Sequence, residues 1–135
     1  MAESVLANKS LALAIRVVNM VKFLQNEKQE FILSKQIGRS GTSIGANIHE
    51  ALYAQSKADF VGKLSISLKE ASETSYWLTI LHETEYLTTS MYNSLKADTD
   101  ELIRLIIASI KTSKNNVTAE KTSKNNITAD KNKQE

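Results

Sequence analysis

The stretch SVLANKSLALAIRVVNMVKFLQ (residues 4–25) sets the terms of the fold. Leu11, Ala14, Ile15, Val18, Val21 and Leu24 recur in it at three- and four-residue steps, the period of an amphipathic helix and not the alternation of a strand. The polar run Asn26-Glu27-Lys28-Gln29 then breaks the pattern, and three further segments of the same kind follow. The second runs from about Phe31 to Tyr53, with Leu33, Ile37, Ile44, Ile48 and Ala51 on one face. Ser56 next predicts an N-cap, its hydroxyl accepting from the amide of Asp59, with that acid well placed in the first turn. The third carries Phe60, Leu64, Ala71, Leu78 and Leu81; a hydroxyl-rich turn at Leu87–Ser90 leads to the fourth, with Met91, Leu95, Leu102, Ile106 and Ile110. Four helices of roughly 30–37 Å, joined by short connections, predict an all-α, antiparallel up-down-up-down four-helix bundle over residues 1–110.

Composition agrees with that class. The chain has 135 residues, 41% hydrophobic and 24% charged, with 4 Gly and neither Pro nor Cys. Without Cys there is no disulfide framework, zinc ribbon, iron–sulfur site or thiol nucleophile. No run reaches the roughly 18 apolar residues of a membrane span, and Glu3, Lys9 and Arg16 interrupt the N-terminal region where a signal core is uncharged, so a cytoplasmic protein is expected.

Beyond Ile110 the periodicity stops. KTSKNNVTAE (111–120) is followed by KTSKNNITAD (121–130), a tandem duplication with one large apolar residue per copy. Residues 111–135 hold 6 Lys against 3 acids, whereas residues 1–110 hold 11 Lys and Arg against 12 acids, so the basic character belongs to the tail. Such a segment buries too little to offset its ordering entropy and is expected to be a disordered, polar C-terminal tail.

Chemistry-bearing constellations are sparse. His49 and His82 are the only histidines; neither sits in Glu-x-x-His, and His49-Glu50 and His82-Glu83 both lack the second histidine of HExxH. No enzyme, metal site, cofactor or small-molecule substrate is expected. The glycines of Gly38-Arg39-Ser40-Gly41-Thr42-Ser43-Ile44-Gly45 do not match a phosphate loop, but on a helix Gly38, Gly41 and Gly45 form one stripe. Each costs about 1 kcal/mol against Ala in a helix interior, which predicts close approach of another helix, within the bundle or across an oligomer interface. Asn47, on the stripe of Ile44, Ile48 and Ala51, is expected as a satisfied core amide or a register-fixing device. Lys28, Lys35, Arg39 and Lys57 are the candidate contacts for nucleic acid or a partner.

The central segment resembles the bacterial four-helix-bundle family named after the 23S rRNA intervening sequences that encode some of its members. Its pattern falls on Gln36, Arg39, Ser43, Ile44, Asn47, Ile48 and Glu50; the later blocks Gln55–Phe60, Lys69–Thr74 and Tyr76-Trp77-Leu78 also fit, so that the likeness covers roughly residues 8–110. The resemblance implies a bundle that assembles as a barrel-like homopentamer. It also implies kinship with the accessory variability determinant of diversity-generating retroelements, a strongly basic protein that binds RNA and a reverse transcriptase. The function expected on these grounds is a non-enzymatic oligomeric scaffold for structured RNA or an RNA-handling protein such as a reverse transcriptase. The alternative is a protein-interaction or structural module with no nucleic-acid partner.

Overall fold

The computed structural model describes residues 2–133, with side-chain surroundings for residues 3 and 5–116. Four helices follow one another: α1 (Ala2–Asn26), α2 (Leu33–Leu52), α3 (Lys57–Glu83) and α4 (Thr89–Lys133). Each packs on its neighbours in the cyclic order 1-2-3-4, and the diagonal pairs stay apart, which is the up-down-up-down bundle the short connections imply. The α1–α4 seam is the thinnest of the four. Exposed ion pairs clasp it, Arg16 to Asp98 at 2.6 Å and Lys9 to Glu101 at 2.6 Å.

One continuous core runs down the bundle axis. Ile37, Ile44 and Ile48 of α2, Leu64, Leu78 and Leu81 of α3, and Leu102 and Ile106 of α4 are all buried, as their periodicity predicts. In α1 the expectation holds for Leu24 and in part for Val21, and fails for Leu11, Ile15 and Val18. Leu6, Leu13, Val17, Met20 and Leu24 fill the core, while Leu11, Ile15 and Val18 point outward at 61%, 55% and 42% exposure. Both sets have helical spacing; α1 is apolar on two faces, and periodicity alone does not say which one the bundle covers.

The helix ends follow local chemistry. Ser56 caps α3 as expected, its Oγ accepting from Asp59 N at 3.0 Å, and Thr88 Oγ1 accepts from Met91 N at 3.2 Å at the start of α4. Before α2 the cap is the carboxylate of Glu30, itself buried, which accepts from the amides of Ile32, Leu33 and Ser34 at 3.2, 3.1 and 2.7 Å. That is why α2 begins at Leu33 and leaves Phe31 outside. Glu85, at φ 67°, ends α3 in a Schellman arrangement with bonds from Glu85 N to His82 O and from Tyr86 N to Leu81 O.

The fourth helix is the longest of the four. It runs to Lys133, through the duplicated segment. Neither repeat contains Pro or Gly, so nothing in the sequence stops a helix already propagating from Ile110.

Candidate interaction surfaces

The glycine stripe serves the bundle itself. Gly38 faces Val21, Gly41 faces Val17 and Gly45 faces Ser10, all on α1. A Cβ placed on Gly41 would lie 2.7 Å from Val17 Cγ1, so here the missing side chain is what lets α1 and α2 approach. Asn47 is less central than its neighbours suggest. It sits half-buried at the edge of the apolar stripe and donates from Nδ2 to Ser43 O at 2.8 Å, within its own helix.

Most of the motif residues lie along the outer seam between α2 and α3. The Arg39 guanidinium donates to Glu73 and, at 3.2 Å, to Glu70 Oε2. Trp77 Nε1–H reaches the same Glu73 carboxylate at 3.2 Å. The Arg39 hydrogen bond holds the Glu73 carboxyl below its ordinary range, against partial desolvation, and Trp77 reinforces it. Glu73 in turn raises the Arg39 pKa. Three turns along, Glu50 pairs with Lys63 at 3.0 Å. Between these pairs, Ser43 Oγ donates to Arg39 O at 2.6 Å. Beneath them, Ser67 donates to Ile44 O at 2.8 Å and Thr74 to Ser40 Oγ at 2.9 Å. These pairings align two helices that small hydroxyl side chains allow close together. Gln36 is exposed in the first turn of α2.

The four candidate cations do not form one patch. Lys28 lies in the α1–α2 connection, its ammonium 5.8 Å from the Phe23 ring centroid, and Lys35 is exposed in the first turn of α2. Lys57 opens α3 at the far end of α2, roughly 30 Å away at 1.5 Å per residue. Arg39 is committed to two carboxylates. Antiparallel connections at opposite ends of the bundle separate residues that look close in sequence.

Apolar side chains do converge. Leu11, Ile15 and Val18 form a column on the outside of α1, beside a groove of about 370 Å³ between α1 and α2. Ala14, Thr42, Ala46 and His49 are among its lining residues. On α3, the helix diagonal to α1, Ile66 (43%) and Tyr76 (61%) are exposed as well. The histidines hold aromatic contacts: His49 lies 5.3 Å from Tyr53, and His82 stacks on Tyr92 at 4.4 Å while bonding to Thr89 Oγ1. Among the described residues no three His, Asp or Glu side chains gather as metal ligands, and no helix is long and apolar enough to cross a membrane.

These features define an antiparallel four-helix bundle with apolar side chains exposed along α1 and α3. The chain belongs to the 23S rRNA-intervening sequence protein family, whose model matches residues 3–108. It is similar to a solved crystal structure of a protein of unknown function from Bacteroides thetaiotaomicron, described as from the S23 ribosomal protein family. The two share 57% identity over 82% of this chain and 99% of that one, with a TM-score of 0.81. No functionally curated protein matches. The family match ends before the duplicated segment.

Proposed function

We propose that the chain is a non-enzymatic helical scaffold that works through protein contacts and assembles as a homo-oligomer. The observation that carries this reading is a contrast on the described surface. The candidate cations are separated or already paired, while exposed aliphatic side chains line up on α1. A contiguous apolar strip on a charged helical surface is the usual mark of a partner site. The apolar positions on the diagonal helix α3 supply a second, different contact face, which a closed ring of identical copies requires. Five copies is the number that the family resemblance gives, and a cytoplasmic setting suits a bundle of this composition.

A second reading, a scaffold for structured RNA or a reverse transcriptase, is favoured by the six lysines of residues 111–135. RNA titration at several salt concentrations separates the two, because phosphate contacts make log K fall steeply with log salt. The protein-contact reading expects no RNA binding at physiological salt, by the full chain or by a chain ending at Ile110. Salt-dependent binding that survives removal of the tail would place an RNA site on the bundle and overturn it.

A further inference from the structure

We propose that the groove between α1 and α2 seats the outer face of α3 from the next copy of this chain, head to tail and in register. This rests on the homo-oligomer reading and names the two faces that such an assembly uses. A ring of identical copies needs two different patches on each copy, one offered and one received. The groove supplies the receiving patch. Ala7, Ser10, Ala14, Thr42, Gly45 and Ala46 are all small, and they leave about 370 Å³ beside the exposed Leu11. The face on α3 has the opposite relief. Ile66 and Tyr76 project from it at 43% and 61% exposure, and Ile80 and Glu83 continue the same column at four- and three-residue steps.

Contacts inside the bundle put these features at matching levels. Gly45 faces Ser10, and the carbonyl of the adjacent Ile44 accepts from Ser67, so Ile66 lies level with the groove and Leu11. Thr74 donates to Ser40 and Gly38 faces Val21, so Tyr76 lies within about a turn of Val18. Lys35 and Glu83 lie further toward the same end of the bundle, roughly 5 Å and 10 Å past that level at 1.5 Å per residue. α1 and α3 run in the same direction, and rotation about an axis along the bundle keeps every level. Such a rotation brings Ile66 of one copy to the groove of the next, Tyr76 to Val18, and the Glu83 carboxylate to the Lys35 ammonium. Both charged groups are open to this pairing: Lys35 is exposed, and Glu83 is 74% exposed, with His82 Nδ1 at 3.7 Å. Lys69, midway along the α3 face, lays its stem on the strip and keeps its ammonium in solvent. Relief, level and end charge together select a second copy.

Light scattering of the full chain over a range of concentrations tests this. Leu11→Asp and Ile66→Asp change exposed positions outside the core, and each alone should reduce the mass to one copy with helical circular dichroism unchanged. Mixed together they should form a species of two copies, because the first keeps its α3 face and the second keeps its groove. Lys35→Glu should raise the concentration of half-assembly about fivefold or more, and Glu83→Lys in the same chain should reverse that rise. A wild-type assembly whose mass survives either aspartate variant would overturn the proposal and leave the groove to a different occupant. So would a mixture that stays at one copy, or a Lys35→Glu defect that Glu83→Lys does not repair. A wild-type monomer would instead defeat the homo-oligomer reading itself, and the proposal with it.

Discussion

Replacing Gly41 with alanine tests the close approach of α1 and α2 against a built-in control. A glycine inside a helix costs about 1 kcal/mol relative to alanine, so propensity alone makes Gly→Ala stabilising. At Gly62 on α3 a Cβ would meet nothing within 4 Å, and Gly62→Ala should raise stability by roughly 0.5–1 kcal/mol. At Gly41 the same Cβ would meet Val17 Cγ1 at 2.7 Å, Cγ2 at 2.8 Å and Cβ at 3.2 Å, on a residue that is 1% exposed and has little freedom to turn away. Overpacking of that kind costs about 1–3 kcal/mol, which outweighs the propensity gain and predicts a net loss of roughly 0–2 kcal/mol. Gly38→Ala and Gly45→Ala, with nearest contacts of 3.3 Å, should fall between these limits. Urea melts followed by circular dichroism would order the four variants. Val17→Ala in the Gly41→Ala background should recover part of the loss, because it removes the atoms in conflict. A Gly41→Ala protein as stable as Gly62→Ala would refute the close-approach account.

Other perturbations reach other parts of the bundle. Glu30→Ala removes the carboxylate that satisfies three amides at the start of α2, and should cost about 1–3 kcal/mol in chemical denaturation. Glu85→Gly relieves a left-handed backbone at the end of α3, and should raise stability by up to about 1 kcal/mol. Arg39→Gln should lower the melting temperature at neutral pH. Arg39 depresses the Glu73 pKa, so its contribution is present above the ordinary carboxylate range and is lost as pH falls through the depressed value; the gap to wild type should therefore close in acid, below about pH 4. Ending the chain after Asn116 should leave the melting temperature of the bundle unchanged, since the buried core ends at Ile106.

Much of this architecture is legible in the sequence, for reasons that also explain what is not. Four apolar periodicities and three short connections determine a bundle almost by themselves, and Ser56 announces its own cap. Part of the α1 face is misjudged because Leu11-Ile15-Val18 is as regular as the Leu13-Val17-Met20 set that the bundle covers. What decides between them is the opposing glycine stripe, whose members meet Val17, Val21 and Ser10. The role of Arg39 is hidden for a different reason: its carboxylates lie 31 and 34 residues away on another helix. Glu30 did leave a signal, an acid just ahead of the first helical turn.

The most direct test of the account is the light-scattering mass of the purified full-length protein, with absorbance read at 260 and 280 nm. A mass of several copies, five by the family resemblance, with a clean protein spectrum is the predicted result. An assembly with the absorbance ratio of bound nucleic acid would contradict the protein-contact reading, and a monomer would contradict the assembly.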